Sequence, residues 1–254
     1  MERTNPGTEA ALAPDRLSVK RWLMAYLAYL LALAVPAVVL LGQLGDGWQE
    51  PFTSPRQFFT APAHHALKLL AYALYVSISC TTVPLPTGWL VAALATRDVA
   101  LSASCWTTTV LVAGIGAAAS TIANLHDYYV FTWMLRHRSV ARVRDTKMYQ
   151  KALSWFARRP FSLLVAFNVL PIPIDVVRML AATYRYPRRP FAAANFIGRW
   201  IRYAAIAAVT FQMGRHGWWM VLALLGLAIV LAAMKFGQKL FPGRGPGRDA
   251  AQTL

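Results

Sequence analysis

Charge is scarce in this chain, and acid is scarcest. Of 254 residues 14% are charged, against roughly 25% in an ordinary soluble domain. Ten are Asp or Glu against 26 Lys or Arg, and 57% of the chain is hydrophobic. That composition excludes a water-soluble globule and leaves a polytopic membrane protein, most simply of one domain. Cysteine is nearly absent. Cys80 and Cys105 both lie in apolar stretches with neither zinc nor redox spacing, so they read as small buried hydrophobes rather than a disulfide. No His-Glu-x-x-His, phosphate-binding loop, Gly-x-Ser-x-Gly or Cys-x-x-Cys motif occurs. The chain therefore reads as a non-enzyme with no cofactor. His64-His65 lacks the further ligands a metal would require.

The formal charge of +16 would point to nucleic acid in a soluble protein. Here the basic residues flank apolar spans, so the positive-inside rule accounts for them and no nucleic-acid partner is expected. Residues 1–21 read as a cytoplasmic tail. Residues 22–65 comprise a retained first helix, Trp22–Gly42, with a proline-induced kink expected at Pro36, and an external loop. The run of about 20 apolar residues is longer than a cleavable signal core. A segment from 66 to 214 holds the chemistry of interest. Residues 215–254 supply a last span and a basic cytoplasmic tail.

What is present is a matched pair of interruptions. The apolar stretch Ala66–Thr96 is broken at Pro84-Leu85-Pro86, and Phe161–Tyr184 at Pro171-Ile172-Pro173. Two prolines one residue apart stop a helix. Broken backbone at membrane depth is tolerated where it is buried in protein or lines a wet cavity. Eight Lys/Arg and one acid between Arg136 and Arg159 fix a cytoplasmic segment, which also reads as an amphipathic interfacial helix with Val140, Val143, Tyr149, Leu153 and Phe156 on one side. Arginines bound the second broken stretch at both ends. The charge pattern is met by an all-α integral membrane fold of four full crossings plus two oppositely oriented re-entrant helical hairpins, an inverted repeat with both termini cytoplasmic.

Intramembrane ionisable groups mark pathways or pairs. Asp175 and Arg178 lie i, i+3 after the second break and share a helix face, as a titrating acid beside a phosphate-binding arginine or as a structural ion pair. Arg199 and Arg202 repeat the i, i+3 spacing on the next helix, suited to a phosphate headgroup or to snorkelling. Thr82, Thr87 and Asn168 flank the breaks, where they line the hairpin tips or satisfy freed backbone groups. Asn124, His126 and Asp127 fall near the end of the second span, with His126 read as interfacial.

Placed in this order, the segments resemble the DedA family, also described by its VTT or SNARE-associated domain, over about Ala66 to Gly214. The resemblance rests on Pro84-Leu85-Pro86, on Ala119-Ser120-Thr121-Ile122-Ala123-Asn124 with Tyr128, and on Asn168-Val169-Leu170-Pro171 followed by Ala181-Ala182. The family's acid after the first prolines is replaced here by Thr87-Gly88, its acid in the second span by Asn124, and its two arginines by Asn168 and Ile174. The resemblance implies an inner-membrane transporter, flippase or scramblase that moves a phospholipid or polyprenyl phosphate between leaflets. On this reading Asp175 holds a pH-sensitive charge, Arg178 and Arg202 contact phosphate, and membrane lipids are the partners. A homo-oligomer is left open. The competing expectation is a non-transporting scaffold that binds anionic lipid or a partner protein through the basic 136–159 segment.

Overall fold

The computed structural model describes residues 16–43, 64–81, 86–97, 99, 101, 102, 104–134, 147–170 and 175–240. Within them the chain is helical: α1 (Arg16–Gln43), α2 (His65–Ser79), α3 (Gly88–Ala95), α4 (Cys105–Met134), α5 (Lys147–Arg158), α6 (Pro160–Val169), α7 (Asp175–Thr183), α8 (Arg188–Gln212) and α9 (Gly217–Leu240). A 3-10 turn at Gly214–His216 separates the last two.

Both apolar stretches are interrupted where the prolines fall. Thr82, Pro84, Pro171 and Pro173 themselves lie outside the described residues. α2 stops at Cys80, whose N–H bonds to the Val76 carbonyl at 3.0 Å. Pro86 precedes α3, and its carbonyl accepts a 2.9 Å bond from the Tyr75 hydroxyl. α6 opens on Pro160, a position where the missing N–H costs nothing. It closes at Leu170, whose extended backbone (ψ 145°) is the conformation that a following proline enforces.

Helix length sorts the elements. At 1.5 Å per residue the 15 residues of α2 span about 22 Å, and α3, α6 and α7, with 8, 10 and 9 residues, span about 12–15 Å. All are shorter than a hydrocarbon core of about 30 Å. α1, α4, α8 and α9, with 28, 30, 25 and 24 residues, exceed it. Val19–Gln43 and Cys105–Met134 are both long and apolar enough to cross a membrane. α1 starts earlier than the expected Trp22 and continues through Pro36 without interruption. Its Leu27, Leu31 and Val38 are exposed, as are Leu222 and Ile229 of α9; large apolar side chains left uncovered in this way suit a lipid environment.

The packing is reciprocal. α4 and α8 form the most extensive contact in the molecule. The first short helix of each pair packs on the long helix that follows it, α2 on α4 and α6 on α8. The second packs on the long helix of the other unit, α3 on α8 and α7 on α4. Two apolar cores result. One gathers Tyr72, Val76, Val91, Val112 and Tyr203 around the first pair; the other gathers Tyr128, Phe156, Leu164, Leu180 and Phe191 around the second. The glycines of the small-residue helix α4 differ in use. A Cβ on Gly116 would land on the Tyr72 hydroxyl and 2.9 Å from the Tyr203 ring, whereas Gly114 faces open space.

The basic segment is corrected in one respect. Of its expected apolar side, Leu153 and Phe156 pack inward, Phe156 being buried with its ring 6.0 Å from Tyr184 and 6.2 Å from Tyr186. That part of the face is used by the protein core, while Trp155 is left 65% exposed. Val140 and Val143 lie outside the described residues. Both cysteines are free, Cys80 buried and Cys105 half-buried.

Candidate functional site between the two broken pairs

One face of α8 carries polar groups at helical spacing: Asn195, Gly198, Arg199 and Tyr203, all buried or allowing burial of a neighbour. Gly198 sets the distance to α6. A Cβ there would sit 2.5 Å from the Asn168 Cβ and 2.7 Å from the Val165 carbonyl oxygen, so only glycine lets the two helices approach this closely. Asn168 is thereby brought beside Arg199, whose Nε donates to Asn168 Oδ1 at 3.2 Å. Arg199 Nη1 donates to the Tyr203 hydroxyl at 3.0 Å, and that hydroxyl exchanges a 3.0 Å bond with Thr87 Oγ1. Asn168 Nδ2 turns back to the Leu164 carbonyl at 2.8 Å. Four side chains thus form a continuous string from the start of α3, just after the first break, to the end of α6, just before the second.

The string is dry and cationic. Arg199 is 5% exposed and Asn168 and Tyr203 are fully buried. Among the described residues the hydrogen-bond partners of Arg199 are neutral, and its Cζ lies 5.9 Å from the Tyr203 ring centroid. A guanidinium out of water without a carboxylate is costly, and an incoming anion would relieve that cost. Because the Tyr203 hydroxyl is shared, Tyr203→Phe should leave both Thr87 and Arg199 short of a partner and cost about 1–3 kcal/mol. Denaturant midpoints of the two proteins in detergent would measure it; equal midpoints would mean that water replaces the hydroxyl.

A second buried group lies alongside. Arg178 Nη1 bonds to Asp127 Oδ2 at 2.6 Å and to the Cys80 carbonyl at 3.1 Å. It ties α7 to α4 and to the last turn before the first break. The sequence pairs Arg178 with Asp175 as i, i+3 neighbours; the structure shows Asp127 as an ion-pair partner of Arg178. Asp175 is the first residue of α7, and its side chain is outside the described residues. Arg202 is half-buried and, unlike Arg199, makes no hydrogen bond among the described residues. Asn124 Nδ2 donates to Asn195 Oδ1 at 2.9 Å across the α4–α8 contact. His126 is not merely interfacial, since its ring stacks on Tyr26 with centroids 4.4 Å apart.

Tyr203 and Asn195 were missed by sequence reasoning, although a signal was present. They stand four residues either side of Arg199, on the same helical face. Asp127 was noticed only as a residue near a span end, because its partner lies 51 positions away.

Neither a curated protein nor a solved structure matches the chain. Residues 85–212, half of the sequence, match the VTT domain. That stretch holds α3 through α8, and with them Thr87, Asp127, Asn168, Arg178, Arg199 and Tyr203. With all of these elements inside the match, the chain belongs to the VTT domain family of membrane proteins, the DedA family.

Proposed function

We propose that this protein is a transporter or scramblase that moves a phospholipid or lipid-linked phosphate between membrane leaflets. The observation that carries the reading is the buried Arg199, held between the ends of two broken helix pairs by neutral partners. A cation so placed favours an anion passing between the tips. The four short helices and their reciprocal packing support two re-entrant hairpins of opposite orientation, with α1, α4, α8 and α9 as the full crossings. The arginine-rich ends argue for both termini on the cytoplasmic side of an inner membrane. Within this reading Arg199 takes the phosphate-contacting role first expected of Arg178, whose charge is offset by Asp127, and Arg202 lies next along the path. Asp175 holds the titrating charge.

The test is leaflet exchange of a fluorescent phospholipid in proteoliposomes, followed by chemical quenching from outside. Protein should accelerate exchange. Arg199→Gln, which loses a charge-assisted bond, should slow it by about tenfold or more. The rate should vary with pH, and Asp175→Asn should flatten that dependence. Exchange in Arg199→Gln at the wild-type rate would remove the assignment. No acceleration over protein-free vesicles would favour the second reading, a scaffold that engages anionic lipid through the basic segment. The exposed Trp155 on basic α5 supports that alternative.

A further inference from the structure

A second cationic place lies at the start of α8, where the chain turns out of α7. Arg185 takes a left-handed backbone (φ 53°), a conformation that costs a non-glycine residue about 1–2 kcal/mol. The turn is fixed by Tyr186 N–H bonding back to the Ala181 carbonyl at 2.9 Å and by the Tyr128 hydroxyl donating to the Tyr186 carbonyl at 2.9 Å. Pro187 then precedes α8 at its N-cap and supplies no side-chain cap to the N–H groups of its first turn. A cavity of about 430 Å³ opens between this turn and the end of α4.

Its lining includes Arg185, Arg188, Arg189, Tyr128, Tyr129 and Tyr186, with no carboxylate among the described residues. The sequence contains none from Val176 to Arg248. Tyr129 is 1% exposed, yet its hydroxyl has no hydrogen-bond partner among the described residues. Its ring is held by Trp22, stacked at 4.5 Å, and by the Arg188 guanidinium 4.8 Å from the centroid. A buried hydroxyl without a partner is expensive in a folded protein and asks for a ligand atom. Three guanidinium groups, a phenol and an uncapped helix start together favour a multivalent oxyanion. Among the described residues a cation finds no acceptor side chain beyond neutral hydroxyls.

We infer that this cavity binds the phosphate group of an anionic headgroup or of free phosphate, at a site separate from the Arg199 string. The recognition chemistry stands without the transport reading, on which only the lipid source of the phosphate rests. The basic turn would lie at the membrane surface, where a headgroup is presented before any passage between leaflets.

The experiment is equilibrium binding to the full chain in phosphatidylcholine nanodiscs, read as the rise in unfolding temperature. Phosphatidic acid is titrated into the disc in one arm and glycerol 3-phosphate into solution in the other. Arg188→Gln/Arg189→Gln should weaken the response at least about tenfold. Tyr129→Phe, which keeps the ring between Trp22 and Arg188, should weaken it by about threefold with the same unfolding temperature in pure phosphatidylcholine. Lys235→Gln/Lys239→Gln makes the same charge change on α9, of which no described residue lines the cavity, and should leave the response intact. A response to phosphatidic acid alone identifies the lipid as the source; a response in both arms, each sensitive to the arginine pair, identifies phosphate itself. Equal affinities in all variants, or an equal loss in the α9 control, would overturn the site. Leaflet exchange is not measured here, so failure of the cavity leaves the transport reading standing, and the reverse holds too.

Discussion

Asp127→Asn should cost about 3–5 kcal/mol of stability, the largest effect expected of any single substitution in the molecule. The reason is the environment of Arg178. It is 5% exposed, and its guanidinium bonds to Asp127 at 2.6 Å. Asparagine keeps the shape and removes the charge, so the arginine is left buried beside a neutral amide. The same bond joins α7 to α4, and Arg178 also reaches the Cys80 carbonyl, so its loss loosens the contact between the two units. The double variant Asp127→Asn/Arg178→Gln should be less damaged than the sum of the singles, because both singles break the same ion pair. Denaturant midpoints in detergent for all three proteins would decide it. A cost below about 1 kcal/mol for Asp127→Asn would mean that the pair is hydrated as a surface pair is.

The second large effect is steric. Gly198→Ala places a methyl 2.5 Å from the Asn168 Cβ and 2.7 Å from a backbone oxygen of α6. Neither neighbour is the movable tip of a side chain, so α6 and α8 must separate. Overpacking of this kind costs about 1–3 kcal/mol. Separation also lengthens the Arg199–Asn168 bond, so leaflet exchange should fall together with stability. Gly114→Ala is the internal control. Nothing lies within 4 Å of its Cβ position, and alanine at this half-buried place in a helix interior should gain about 0.5–1 kcal/mol. If both substitutions move the midpoint in the same direction, the close approach of α6 and α8 is not what glycine serves at position 198.

The helices and their breaks were legible because proline and arginine act locally. Pro171 dictates the extended Leu170 before it, and the pair of prolines around Leu85 marks the gap between α2 and α3. Thr87 and Asn168 stood out by their nearness to those breaks and Arg199 by its i, i+3 spacing with Arg202, and the structure joins the three in one string. What joins them was not legible. Tyr203 makes the connection, and a tyrosine in an apolar span reads equally well as an anchor at the interface. Asp127 escaped for a different reason. The resemblance drew attention to position 124, where the family's acid gives way to Asn124, while an acid stands one helical turn further on and takes a buried arginine as its partner. A shift of one turn along a helix keeps the same face, and no local rule reports it.

The exchange of short helices between the two halves bears on how the chain can be assembled. When α3 leaves the ribosome, the surface on which it finally rests belongs to α8 and α9, more than ninety positions downstream. α4 is likewise made with the seat for α7 still empty. The first half of the molecule must therefore be held in the membrane with a short, apolar helix unhoused until synthesis is almost complete. α7 finds its seat on α4 already made, so closure ends with the late arrival of α8 and α9 over α3. A chain built this way has no folded half to fall back on, and its two units can change in evolution only as a mutually dependent pair.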